Sequence, residues 1–280
     1  QNDATFDPTD YIEFYGVKND GTLDTDLYSQ SSYQPHKYYN LFNDTTAYFL
    51  TWNPAPVAGK RMSSFFELNN SGLVKEAYHN EEQLRVYISD YAGGFTQLGE
   101  IQATTFDQGE GWTGPTICTN LSGCTGVQDL VVNNLIRSVA SGSPQLEIVL
   151  TGRSEIRHDI EVWAGPDAGS LRFLTSPSFF AFETPKLTLP LNFSDIGAGG
   201  SLTVRVRLLT SAVDQISVAS AKVTFAQNFD VSSLTEKVFN LPPNSGNKSY
   251  VEILNPPVGV RIWDITDHNN VGTIGSVNLS

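Results

Sequence analysis

The chain has 280 residues, 40% of them hydrophobic, and a formal net charge of −13 from 17 Lys+Arg against 30 Asp+Glu. That content fills a core, so the chain is not disordered, and its length suits two domains or one large all-β unit. The acidic balance argues against nucleic acid, whose affinity comes from neutralising phosphates, and against an anionic membrane surface.

In chain order, residues 1–8 are polar. Asp10-Tyr-Ile-Glu-Phe-Tyr-Gly16 alternates as a strand, with Tyr11, Glu13 and Tyr15 on one face and Ile12 and Phe14 on the other. Lys18 to Thr22 is turn chemistry, because Asn-Asp-Gly reaches the left-handed backbone at little cost. A short helical turn is expected over 23–29. Thr45-Thr-Ala-Tyr-Phe-Leu-Thr-Trp52 is rich in β-branched and aromatic residues and predicts a strand, ended by Pro54-Ala-Pro56 and paired with 61–66. Leu73, Ala77 and Leu84 fall near one helical face, so 71–85 predicts a helix. Residues 98–107 alternate, 109–115 form a glycine-rich loop, and 126–135 read as strand.

From 145 to 227 the alternation is sustained. Leu146, Ile148 and Leu150 are in step, then Ile160 and Val162, opposite Asp159, Glu161 and Trp163. Runs at 170–175, 179–183, 186–193, 201–209 and 216–225 follow, separated by Gly, Pro, Asp and Ser. Short strands at this spacing predict an antiparallel β-sandwich rather than α/β layers. Three further strands are expected at 235–241, 250–254 and 260–265, split by proline-rich turns. The fold class is therefore all-β. A jelly-roll-like antiparallel β-sandwich over 144–228 is expected, with an N-terminal β-rich module over 1–143 and a small β segment over 229–280.

Signals for chemistry are sparse. Cys118 and Cys124 flank a Ser-Gly turn; they close a small disulfide loop, which implies an oxidising compartment, or remain two free thiols. Neither has a His nearby in sequence, as a cysteine nucleophile or a zinc site requires. The four His, at 36, 79, 158 and 268, are scattered, and no Gly-x-Ser-x-Gly or phosphate loop occurs. Asp20, Asp24 and Asp26 concentrate the hard oxygen ligands that calcium takes, without the EF-hand spacing; the competing reading is a solvated turn with a capped helix start. No other cofactor is expected. Trp112 and Trp163 are candidates to stack on sugar rings, against the simpler role of packing at the sandwich edge. No stretch reaches the ~20 apolar residues of a transmembrane helix, and the start lacks a basic segment followed by an apolar one.

One resemblance adds to this reading. Asp10 to Gly16, Asn19-Asp-Gly-Thr-Leu-Asp24, and Tyr38-Tyr-Asn-Leu-Phe-Asn-Asp-Thr45 running into Ala47 to Trp52 are its most specific part. Gly109-Glu-Gly-Trp-Thr-Gly114 and Val260-Arg-Ile-Trp-Asp-Ile-Thr-Asp267 extend it over most of the chain. These segments resemble the region that precedes the catalytic domain in the gingipain-like cysteine peptidases, nearest to the cell-surface sortases of the type IX secretion system of Bacteroidetes. The resemblance implies a non-catalytic accessory β region of a secreted or cell-surface, outer-membrane-associated peptidase. Its partners would be a downstream peptidase domain in the same polypeptide and secretion-system or cargo proteins. No position here matches the family's catalytic His and Cys. The alternative, from the tryptophans, is a carbohydrate-binding module whose partner is a glycan.

Overall fold

The computed structural model describes residues 7–8, 12–51, 61–66, 69–95, 104–135, 142–243, 246 and 248–275. In chain order the strands are β1 (Ser63–Phe65), β2 (His79–Val86), β3 (Asp90–Ala92), β4 (Gly111–Thr113), β5 (Ile117–Thr119), β6 (Val127–Val132), β7 (Gln145–Gly152) and β8 (Arg157–Gly165). They continue with β9 (Arg172–Thr175), β10 (Ser178–Phe180), β11 (Lys186–Pro190), β12 (Leu202–Leu208), β13 (Asp214–Gln227), β14 (Ile262–Asp264) and β15 (Gly272–Ile274).

Two antiparallel sheets form the body. One runs β10-β8-β12-β6 with β9 also on β8; the other runs β11-β7-β13-β2 with β5 also on β13. From β6 onward the chain passes repeatedly from one sheet to the other, as it does in a jelly roll. Ile160, Val162 and Ala164 of β8 face Leu146, Ile148 and Leu150 of β7 across one core, joined by Val204 and Val206 of β12 and Val218 and Val223 of β13. Period-two alternation makes this possible: each strand commits every second residue to the same side. In β8 the intervening Asp159, Glu161 and Trp163 stay half-buried on the outer face.

Strands β2, β5 and β6 lie before residue 144, so the sandwich is wider than the 144–228 span that periodicity singles out. No helix forms over 71–85: residues 71–78 are turn and irregular, and 79–85 belong to β2, an edge strand among the described residues, paired in register from Ser220↔Val86 to Gln227↔His79. Leu84 faces solvent there, and hydrogen bonding to β13 rather than an apolar stripe holds the segment. Between Val218 and Ser220 the β13 register shifts, and the carbonyl of Ala219 accepts the Tyr87 N–H at 3.0 Å. Beside that bulge the chain leaves β2 for the β3–β4 pair, and just after β4 Gly114 donates its N–H to the Val218 carbonyl at 2.8 Å.

The terminal regions depart further from expectation. Residues 12–16 and 45–51 lie in no sheet; Asp10, Tyr11 and Trp52 fall outside the described residues, as do 98–103. Residues 61–66 do not pair with 45–51, because β1 runs parallel to β15 in a small sheet ordered β1-β15-β14. The runs at 235–241 and 250–254 make only single-residue bridges, at Asn240, Tyr250 and Leu254. A 3₁₀ turn occupies Leu23–Leu27.

Candidate functional site

The aspartates considered for calcium are held by different partners. Asp24 is buried; its Oδ1 accepts the Asn40 side-chain amide at 2.6 Å and its Oδ2 the Leu41 N–H at 2.8 Å. Asp20 Oδ1 accepts the Thr22 N–H at 2.9 Å, and Asp26 is exposed. Both Asp24 oxygens thus tie the 20–24 turn to the 40–41 segment. Among the described residues no three His, Cys, Asp or Glu side chains converge as a metal set.

Trp112 and Trp163 lie in different sheets, on β4 and β8. Trp112, on β4, donates its indole N–H to the Leu41 carbonyl at 3.3 Å and sits edge-on to Tyr91 and Tyr39, with centroids 5.3 and 6.3 Å away. It roofs a polar cluster in which Tyr91 donates to Glu110 Oε1 at 2.9 Å and Tyr28 to the Glu110 carbonyl at 2.6 Å. Burial, and then the Glu110 carboxylate, push both phenols well above the ordinary tyrosine range. In the same cluster burial drives the His36 imidazole down to about 4, opposed by a backbone hydrogen bond near Trp112. Trp163, on the outer face of β8, donates to Glu161 at 3.1 Å and meets Phe173 edge-on at 5.2 Å. Both indole N–H groups are therefore spent inside the protein.

Cys118 and Cys124 form a disulfide, with Cα atoms 5.5 Å apart. Neither sulfur is then a thiolate, the form a cysteine nucleophile requires.

The structure brings together one constellation that the sequence reading passed over. His158 of β8, Asp214 at the start of β13, and Ser154 meet between the sheets. His158 Nδ1 lies 2.6 Å from Asp214 Oδ1 and Ser154 Oγ donates to the same oxygen at 3.0 Å. The residue types are those of a hydrolase triad, but the wiring is not. Ser154 contacts the carboxylate rather than the imidazole. His158 Nε2 faces the Ala181 carbonyl at 2.7 Å; a carbonyl only accepts, so that nitrogen carries the proton and has no lone pair to act as a base. The imidazole and the carboxylate have no solvent exposure. This cluster joins β8, β13 and the 181 turn. A signal for it existed: by parity His158 shares the inward face of Ile160 and Val162, and a polar side chain there needs a partner.

A second polar knot lies nearby. Arg153 donates to Asp90, Thr116 and Ser217 at 2.5, 2.6 and 3.1 Å and to the Tyr91 carbonyl at 3.0 Å. It fastens the β3–β4 hairpin, and with it Trp112, to the second sheet.

No protein-family model matches the chain, and no curated protein does. Among solved structures, the chain is similar to dimeric latent PorU from Porphyromonas gingivalis, with a TM-score of 0.52 and 10% identity over 79% of this chain. The chain spans about a fifth of the length of that protein (20%). A looser overlap exists with the CBM36-1 domain of a multidomain xylanase from the hindgut metagenome of Trinervitermes trinervoides: TM-score 0.28, 12% identity, 51% of this chain and 96% of that one. At that score the second overlap bears on neither fold nor function. The first shows that this chain and a part of PorU share a fold.

Proposed function

We propose that the chain is a non-catalytic accessory region of a larger gingipain-like cell-surface peptidase or sortase. In this reading it positions a peptidase domain or contacts secretion partners or cargo. The observation that carries the reading is the fold shared with a part of PorU over 79% of the chain, which stands beside the sequence resemblance to the pre-catalytic region of that family. The internal chemistry agrees with it. Both cysteines are joined, and His158 and Asp214 are buried and bonded to one another. The 144–228 sandwich core and the flanking 1–143 and 229–280 parts act here as one bracing unit, with Cys118–Cys124 as a staple.

The test has two arms. The purified chain is incubated with labelled casein and with lysine- and arginine-ended fluorogenic peptides, with and without a thiol alkylator. No turnover is expected; turnover that alkylation abolishes overturns the reading. The reading frame around the chain is then sequenced. An α/β domain carrying a His and a Cys nucleophile is expected, and a frame without one removes the peptidase link. A glycan titration that Trp163→Ala abolishes would favour the carbohydrate-binding alternative.

A further inference from the structure

One face of the molecule has the composition of an interface. It is built where residues 12–17 and 45–51 meet the β1-β15-β14 sheet. Phe14 packs on Tyr48 with centroids 5.1 Å apart, and Tyr15 on His268 at 5.3 Å. Glu13 accepts from Arg261 at 2.9 Å, and that guanidinium lies over the Trp263 ring at 6.0 Å. These contacts make the face continuous. Phe14 is 62% exposed on it, and on the segments that build it Phe49 is 93% exposed, Leu50 75% and Phe66 71%. Scattered apolar residues are normal on a surface; a joined set of aromatics marks a binding face.

We propose that this face docks a protein partner that presents an extended apolar strand rimmed by Lys or Arg. Two features choose that occupant. First, among the described residues β1 and β14 are both edge strands, and residues 12–16 and 45–51 belong to no sheet, so the face offers backbone to an added strand. Second, charge selects the rim. Within the face Glu13 is matched by Arg261, and Lys18 lies 3.7 Å from Asp44. The neutral centre sits on a chain of net charge −13, with Asp264 and Asp267 exposed at its border. An apolar centre inside an acidic surround complements an apolar strand with a basic border. The same charge disfavours a second copy of this chain and an anionic membrane. The proposal rests on the accessory-region reading and names the surface that such a region would use.

The test is binding of short fluorescein-labelled peptides to the full chain, followed by anisotropy. One peptide alternates Val and Phe with Thr between lysine flanks; its twin carries glutamate flanks. The lysine-flanked peptide should bind at least about tenfold more tightly, and the preference should shrink as salt rises. Phe49→Ser with Leu50→Ser, and separately Trp263→Ala, should weaken binding about tenfold with an unchanged circular dichroism spectrum, since these side chains are exposed. Equal binding of the two peptides, or binding indifferent to both variants, overturns the proposal. Self-association that the serine pair abolishes overturns it in favour of a dimer. Binding to phosphatidylglycerol vesicles that the serine pair abolishes overturns it in favour of a membrane. Peptidase turnover is not an arm of this test, so a failure here leaves the accessory reading standing.

Discussion

His158 and Asp214 lie 56 residues apart in sequence and 2.6 Å apart in space, with neither side chain reaching solvent. Burying two such groups is costly, and the cost is offset only when each polar atom finds a partner. Ser154 and the Ala181 carbonyl supply two of those partners, while Asp214 Oδ2 has none among the described residues. The pair is thus a clamp whose halves depend on each other.

Removing one half should cost more than removing both in proportion. Asp214→Ala should destabilise the fold by about 3–5 kcal/mol, because it strands a buried imidazole. His158→Ala should do the same to the carboxylate. The double variant should cost clearly less than the sum, with a coupling of about 1–3 kcal/mol. Urea midpoints for the four proteins check this; simple additivity would mean that the two residues do not act as a pair.

The β7, β8, β12 and β13 strands were readable because one face of each is buried in a common core, and burial writes alternation into sequence. β2 was not readable: His79 is its one fully buried side chain, and its partner lies about 140 residues onward. Its stability comes from a ladder, and a local window holds no record of a ladder. The converse failure is 12–16, where alternation is present, and 45–51, rich in β-branched and aromatic residues, neither of which lies in a sheet. There the apolar residues face solvent, which is why they mark an interface rather than a core. The Asp24 turn shows a third case. Acidic clustering was visible, but the Asn40 and Leu41 partners that consume the carboxylate came only from the fold.

Acid should weaken the protein through His36. Burial lowers its imidazole from 6.5 to about 4 in the folded state. Between those values the unfolded chain binds a proton that the folded chain refuses. Stability therefore falls as pH drops from about 6.5 to 4 and levels off below, with a loss of up to about 3 kcal/mol from this residue. His36→Asn keeps an acceptor for the Tyr38 N–H that Nδ1 accepts at 3.2 Å, and it removes the titration. The wild-type and variant unfolding midpoints, compared at pH 7, 5.5 and 4.5, should diverge in slope. Parallel slopes would show that His36 protonates freely in the fold.

The disulfide gives a prediction of different origin. Cys118 and Cys124 are six positions apart, so the bond closes a short loop and restricts the unfolded chain only modestly. The chain-entropy relation gives about 2 kcal/mol for a loop of this size. Replacing both cysteines by Ala should lower stability by that amount and leave the sandwich intact, because β5 still pairs with β13 from Asp214↔Thr119 to Ile216↔Ile117. Equilibrium unfolding with far-ultraviolet circular dichroism reads both. Loss of the folded spectrum would mean that the staple is required for the fold.

The clamp also explains a glycine. Gly152 ends β7, and its N–H donates to the Glu183 carbonyl at 3.1 Å. A Cβ there would collide with the Ala181 carbonyl and stand 2.7 Å from His158 Nε2. The backbone at Ala181 has little room to retreat, since its φ of 52° already places a non-glycine residue in the left-handed region. Gly152→Ala should therefore push the 181 turn outward, break the bond from His158 and cost at least about 2 kcal/mol, the sum of overpacking and a lost buried hydrogen bond. Ala181→Gly should act the other way, relieving about 1 kcal/mol of backbone strain while keeping the carbonyl. In the His158→Ala background the Gly152→Ala penalty should shrink, because one of the colliding atoms and the bond at risk are both gone. Thermal melts of the single and combined variants test this. An undiminished penalty would place the collision wholly on the Ala181 backbone.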